Sequence, residues 1–80
     1  MKMKLATVTN NELIIRANQN KAGDWERVER VCAWIVAQDD MEIDYAAIQE
    51  GGYIHLGARW DNYQAKELNE IYKEAKKAVK

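Results

Sequence analysis

Cys32 and His55 are the only cysteine and the only histidine of the chain, so they are its first candidates for catalytic chemistry. A nucleophilic thiol needs a base within hydrogen-bond reach. The sequence pattern predicts Cys32 on the apolar stripe of a helix and His55 on the far side of a sheet, so a pair would require the thiol to reach across that sheet. The chain also lacks the spacings of phosphate loops and nucleophile motifs. We therefore predict that the protein is not an enzyme and uses no cofactor, and that Cys32 is a small core residue.

A run of acidic residues in the middle of the chain is the second candidate, because carboxylates are common metal ligands. An EF-hand needs its ligands spread over a loop of about twelve residues with a glycine at the bend. That glycine is missing, so we predict no metal site. The acids can serve as a charged strand edge that prevents aggregation. Alternatively, they imitate phosphates and occupy a basic groove on a nucleic-acid enzyme. This acidic patch comprises Asp39, Asp40, Glu42, Asp44 and Glu50.

The first element that must position these residues is a β-hairpin at the start of the chain. Residues 3–9 alternate loosely in polarity, and residues 12–17 are rich in apolar and β-branched side chains. Asn10-Asn11 between them tolerate left-handed backbone angles, so they are the predicted turn. With that turn, Val8 faces Leu13. One face then carries Ala6, Val8, Leu13, Ile15 and Ala17, and the other carries Leu5, Thr7, Thr9, Glu12, Ile14 and Arg16.

A helix follows over residues 25–38, with Asp24 as its predicted N-cap. Its polar side contains an unexpected residue, Trp34, which falls beside Arg27 and Arg30 where a packing role within the domain is hard to assign. Tryptophan and arginine are favoured anchors of protein interfaces. We therefore predict that these three residues bind a partner. The apolar stripe consists of Trp25, Val28, Val31, Cys32, Ile35 and Val36.

A second hairpin is predicted over residues 41–60, with its turn at Gly51-Gly52, because glycine readily takes the positive φ angles of tight turns. A turn one residue earlier, at Glu50-Gly51, gives the same two faces with a different register. A helix from Asp61 to Lys80 completes the chain, with Asp61 as N-cap and Gln64 as its capping-box partner. Its apolar stripe is Ala65, Leu68, Ile71, Tyr72, Ala75 and Val79. In the second hairpin, the apolar face carries Ile43, Tyr45, Ala47, Ile54, Leu56, Ala58 and Trp60.

These elements predict an α+β fold in the order ββαββα. Each hairpin has one apolar face and each helix one apolar stripe, so the economical arrangement is a two-layer sandwich. In it, a four-stranded antiparallel sheet has both helices packed on one face. Residues 1–80 form a single domain, and the similar halves, about 1–38 and 41–80, hint at a duplicated ββα unit.

Composition restricts the function further. Twelve lysines and arginines nearly balance thirteen aspartates and glutamates, so no overall field attracts nucleic acid or a membrane. One cysteine permits no internal disulfide, which suits a reducing cytosol. No stretch has the apolar length of a signal peptide or a membrane span. We therefore expect a cytoplasmic protein without a membrane partner.

The sheet face opposite the helices is the larger predicted contact surface. Uncovered sheet faces usually carry mostly polar side chains, whereas this one combines aliphatic and aromatic groups with cations. The residues predicted to bind a partner there are Ile14, Arg16, Ile48, Tyr53, His55 and Arg59, together with Leu5 and Thr7 nearby.

A non-catalytic protein-binding module, acting as an inhibitor or adaptor on a partner of unknown identity, is the function that we expect from this surface. By analogy of size alone, phage or mobile-element accessory proteins that block a host defence protein work in this way. A homodimer through the open sheet face is a variant. The main alternative is a single-stranded nucleic-acid-binding module that stacks bases on Tyr53 and His55, and the acidic nucleic-acid mimic is another.

Overall fold

The computed structural model describes residues 5–18, 20–44 and 52–79. Four strands and two helices follow one another in the predicted order ββαββα. The strands are β1 (Ala6–Thr9), β2 (Glu12–Arg16), β3 (Met41–Ile43) and β4 (Tyr53–Ala58), and the helices are α1 (Asp24–Gln38) and α2 (Ala65–Ala78). The predicted Ile48 and Glu50, like Tyr45 and Ala47, lie outside the described residues.

The strands form one antiparallel sheet in the order β1-β2-β4-β3, so the second strands of the two hairpins pair at its centre. Helix α1 packs over β2, β3 and β4, and α2 packs over β1 and β2. The predicted α+β sandwich is therefore the fold. The first hairpin also has its predicted register, with Val8 opposite Leu13 and Thr9 opposite Glu12. Asn11 takes the left-handed angle (φ 65°) that the turn requires.

The register of the second hairpin differs from the prediction. A turn centred on Gly51-Gly52 would place Ile43 opposite Trp60, but Ile43 lies opposite Leu56. The shift is an even number of residues, and side chains alternate with a period of two, so the residues of β3 and β4 keep their predicted faces. The connection itself lies mostly outside the described residues.

The core lies between the sheet and the helices, as the apolar patterns predicted. Leu13, Ile15 and Leu56 are completely buried on the sheet, and Ile54 is nearly so. The predicted helix stripes supply the other layer, namely Val28, Val31, Cys32 and Ile35 from α1, and Leu68, Tyr72 and Ala75 from α2. Strand alternation and helical periodicity predict these core residues because burial of apolar area is the main driving force of folding.

Two tryptophans differ from their predicted environments. Trp34 was predicted to face water, but it is half-buried and packs against the hydrophobic core. Trp60 was predicted on the apolar face of the second hairpin, but it is 71% exposed. Strand β4 ends at Ala58, so the alternation that placed Trp60 on the core face no longer applies there.

Both helices begin differently from the prediction. Helix α2 begins at Ala65, not Asp61, with Gln64 as N-cap and Glu67 closing the capping box. Residues before it form a loop that is held by the first hairpin, and the Asp61 carboxylate accepts a hydrogen bond from the Asn11 side-chain amide at 3.1 Å. The Asp61 carboxylate thus binds the first hairpin and is not the N-cap of α2.

Helix α1 has Gly23 as N-cap, with a left-handed φ of 80°, and the predicted cap Asp24 is its first residue. Asp24 is buried. Its carboxylate accepts two hydrogen bonds from the Arg27 guanidinium, at 2.7 and 3.2 Å, and one from the Asn18 N–H. The Arg27 hydrogen bond outweighs the opposing effect of burial and lowers the pKa of Asp24 to about 2. Asp24 thus ties the loop before α1 to its first turn.

Asp24→Asn is expected to lower the free energy of unfolding by about 2 kcal/mol, because it leaves the Arg27 guanidinium and the Asn18 N–H without a charged acceptor. Chemical denaturation at neutral pH measures the loss. The matched control is Asp40→Asn, which breaks an exposed ion pair with Arg59 of 3.8 Å. Exposed pairs contribute at most about 1 kcal/mol, so the control should cost clearly less.

The same carboxylate predicts a pH dependence. The pKa of Asp24 is lower in the folded protein than its ordinary value of 3.8, so its stabilising effect is complete above that value. It is lost as the pH falls through the folded pKa of about 2. Between these values the wild type should therefore lose more stability than Asp24→Asn. Parallel pH profiles for the two proteins would contradict the role given to Asp24.

Candidate functional site

The sheet face opposite the helices, here called the open face, presents its side chains in rows that run across the strands. One row contains Thr7, Ile14, His55 and Asp44, joined by the pairing of their strands. Thr7, Ile14 and His55 are half-buried although neither of the two described helices covers them. Neighbouring side chains thus shield one another without removing the face from solvent.

The open face contains a concave pocket of about 520 Å³, here called the acidic pocket. Its described lining includes four carboxylates and one imidazole but no lysine or arginine. These titratable residues are Glu12, Glu42, Asp44, His55 and Asp61. Three of them lie on β2, β3 and β4, Asp44 directly follows β3, and Asp61 lies in the loop before α2. Only the folded chain brings them together.

Gly57 lies at the centre of the acidic pocket, with Glu12 beside it on β2 and Glu42 beside it on β3. Neighbouring strands are about 4.8 Å apart, so the two glutamate backbones lie about 10 Å apart with the β4 backbone between them. Glycine within a strand costs about 0.5 to 1 kcal/mol relative to alanine. Apart from Gly57 itself and its two chain neighbours, no atom of the described residues lies within 4 Å of where a Cβ at position 57 would be, so local crowding does not require glycine.

His55 lies between two of these carboxylates. Its Nε2 is 3.8 Å from the Glu12 carboxylate and its Nδ1 is 3.8 Å from the Asp44 carboxylate. Both distances exceed normal hydrogen-bond length, and both acids are more than half exposed. The imidazole therefore forms one wall of the acidic pocket without closing it.

Arg16 and Tyr53 occupy the next row of the open face. The Arg16 guanidinium lies 5.9 Å from the centre of the Tyr53 ring, a cation–π arrangement, and donates a hydrogen bond to the Thr7 hydroxyl at 2.9 Å. This predicted pair is therefore together on the open face. However, the arginine already occupies space over the ring on which a base would have to stack.

The predicted acidic patch is divided between two places. Glu42 and Asp44 line the acidic pocket, whereas Asp40 forms an ion pair with Arg59 beyond the end of β4. Burial raises the pKa of Asp39, an effect that a hydrogen bond from the Tyr63 hydroxyl opposes. Glu50 lies outside the described residues. The sequence pattern did not place Glu12 and Asp61 in the acidic patch, because their proximity to Glu42 depends on the pairing of β2 with β4.

The predicted group on α1 has a largely structural setting. Arg27 is held by Asp24 and Trp34 packs against the core, while Arg30 is exposed. The exposed indole is that of Trp60, which immediately precedes Asp61 of the acidic pocket. Trp60 is followed by Asp61-Asn62, residues that favour turns over strands, and this is the signal that could have marked the end of the strand.

Within the described ranges, no three acidic, histidine or cysteine side chains are arranged so that they could hold a metal ion, and no helix is long and apolar enough to cross a membrane. Cys32 is completely buried, and this burial raises its pKa to about 12, so its thiol is protonated and unreactive at neutral pH.

The open face, the acidic pocket and Trp60 together are therefore the candidate site. Its mixed chemistry, with carboxylates, an imidazole, aliphatic groups and an exposed indole, is typical of a surface that contacts another molecule. Comparisons of this chain with protein-family models, with curated proteins and with solved structures find no match.

Proposed function

We propose that this protein is a non-catalytic protein-binding module that docks its partner on the open face of the sheet. The observation that carries the proposal is the acidic pocket on an uncovered four-stranded sheet, with the exposed indole of Trp60 next to it in the chain. Such a surface offers a polar recess and, one residue from its lining, an exposed tryptophan. Tryptophan is one of the residues enriched in interface hot spots.

A protein partner fits this surface better than single-stranded nucleic acid does. Four carboxylates line the acidic pocket and would repel the phosphates on which nucleic-acid affinity depends. The ring of Tyr53 also lies under Arg16. A protein can match both the charged recess and the half-buried Ile14. We therefore favour protein binding over the stacking of nucleic-acid bases as the function of this surface.

Inhibitor or adaptor is the finer role that we propose, because an 80-residue domain can act by covering the working surface of its partner. The same mode would serve a phage or mobile-element accessory protein that blocks a host defence protein. The single buried thiol suits a cytoplasmic setting. A second copy of the chain, docked through the open face, is the homodimer form of the proposal.

Site-directed photocrosslinking tests the proposal. A benzophenone amino acid replaces Thr7 on the open face, or Lys66 on the exposed side of α2, and the protein is expressed in its native host. We expect a specific crosslinked product from position 7 and none from position 66. A product of twice the 9.3 kDa chain mass would identify the homodimer form.

A matched pair of variants controls this experiment. Ile14→Lys places a charge beside the probe on the open face, and Ala33→Lys places the same charge at an exposed position of α1. Ile14→Lys should remove the crosslinked product while Ala33→Lys retains it, with both proteins folded by circular dichroism. Equal products from the two variants would mean that the open face is not the docking surface.

A further inference from the structure

The acidic pocket has a chemistry more specific than a general contact surface. Glu12 and Glu42 lie in one row on either side of Gly57, with Asp44 and His55 in the next row. Asp61 adds a carboxylate from the loop before α2. A recess surrounded by several carboxylates favours a cation, because each anion lowers the electrostatic energy of a positive charge placed between them.

Gly57 supplies an observation that is independent of charge. It lies in β4, a central strand, where glycine is unfavourable, and its missing side chain leaves open space at the bottom of the pocket. A glycine inside a strand commonly marks a place where a ligand or another backbone approaches closely. The absence of a side chain at position 57 therefore leaves room for a ligand group to approach the backbone.

The shape of this recess fits a guanidinium better than an ammonium ion. A guanidinium is planar, weakly hydrated and has five N–H donors, so it can lie flat over the Gly57 backbone and donate to carboxylates on both sides. An ammonium ion is compact and strongly hydrated, so it loses more hydration free energy than a guanidinium does when it approaches the uncharged Gly57 backbone.

We propose that the acidic pocket receives an arginine side chain of the partner protein, with Glu12 and Glu42 as its acceptors and Gly57 as the floor that admits it. This inference rests on the proposed function and names the partner's chemistry. A partner with an exposed basic groove, such as a protein that itself handles nucleic acid, would present such a side chain. Trp60 would then pack on the apolar surface around it.

Nuclear magnetic resonance of the isotope-labelled full chain tests the pocket directly. The probes are a short capped peptide containing arginine and the same peptide with arginine replaced by citrulline or lysine. We expect the arginine peptide to shift the backbone amides of residues 12, 42, 55 and 57 in a saturable manner. Citrulline keeps the shape but removes the charge, so it should weaken binding at least tenfold. Equal binding of the citrulline or lysine peptide would overturn the assignment to arginine.

A series at position 57 separates binding from folding. Gly57→Ala and Gly57→Val fill the recess progressively, and the space around the added Cβ predicts that neither variant unfolds. We expect the melting temperature to rise by roughly 3 °C or more, because glycine is unfavourable in a strand. Binding of the arginine peptide should fall in the order Gly, Ala, Val, and by at least tenfold for Val. Unchanged binding in Gly57→Val would overturn the proposal.

Charge-matched variants exclude a general electrostatic effect. Glu42→Gln removes a carboxylate from the pocket, and Glu29→Gln removes one from an exposed position of α1. Only Glu42→Gln should weaken the arginine peptide at least fivefold. An equal loss in both variants would show that the peptide responds to net charge alone.

The crosslinking experiment distinguishes this inference from the proposed function. If Gly57→Val still forms the crosslinked product at position 7, the open face docks a partner but the arginine assignment is wrong. If Ile14→Lys also leaves that product unchanged, the proposed function itself is wrong. Loss of the product in both variants supports both statements.

Discussion

Asn11→Ala should lower the free energy of unfolding by about 3 kcal/mol, the largest effect that we expect from any single polar residue. The Asn11 side chain accepts a hydrogen bond from the Tyr63 N–H at 3.0 Å and donates one to Asp61 at 3.1 Å. Its φ of 65° is tolerated by asparagine but unfavourable for alanine. The variant therefore loses two hydrogen bonds and gains backbone strain. A small domain melts roughly 4 to 8 °C lower per kcal/mol, so thermal unfolding should show a decrease of more than about 10 °C.

Asn11→Gly is the control for the backbone component. It loses the same side-chain hydrogen bonds but accepts a positive φ without strain, so it should be about 1 kcal/mol more stable than Asn11→Ala. Asn10→Ala tests the neighbouring contact, in which the Asn10 side chain accepts a hydrogen bond from the Ala65 N–H at 2.9 Å at the start of α2. Loss of that cap should cost about 1 kcal/mol. A neutral Asn11→Ala would show that the hairpin turn does not hold the loop before α2.

These asparagines show what local sequence could and could not predict. The turn and the register of the first hairpin follow from Asn10-Asn11 and from alternation in the strands on either side. The second role of the turn, as the anchor of the loop before α2, joins residues about fifty positions apart. No local pattern contains such a contact. The start of α2 was misplaced for this reason.

The candidate site was likewise only partly predictable from local sequence. The open face was predicted because alternation assigns each strand residue to one side, and Thr7, Ile14, Arg16 and His55 lie there. The acidic pocket was not predicted, because it needs β2 beside β4 and the correct offset of β3. The hydrophobic pattern does not distinguish registers that differ by an even number of residues. Alternation places Gly57 on the same face as His55, but it does not show that Glu12 and Glu42 lie on either side of it.

The two misplaced tryptophans give the second large expected effect. Trp34→Ala should destabilise the protein by about 2 kcal/mol, because a half-buried indole that packs against the core leaves a gap that its neighbours fill only in part. Trp60→Ala should change stability by less than about 0.5 kcal/mol, since 71% of this residue is exposed. Urea denaturation of the two variants measures the difference. Quenching of tryptophan fluorescence by iodide should fall most when Trp60 is removed.

For partner binding, Trp60→Ala should have a larger effect than Trp34→Ala. This contrast with stability distinguishes an interface anchor from a core residue. Truncating a central aromatic anchor costs about 2 kcal/mol, or roughly thirtyfold in affinity, so Trp60→Ala should lose most of the crosslinked product formed at position 7. Trp34→Ala should retain that product at temperatures where the variant is folded. Loss of the product in Trp34→Ala, with Trp60→Ala unaffected, would move the docking surface to the helix layer, where Arg30 is exposed. Retention in both variants would leave the open face to bind through its pocket alone, without an aromatic anchor.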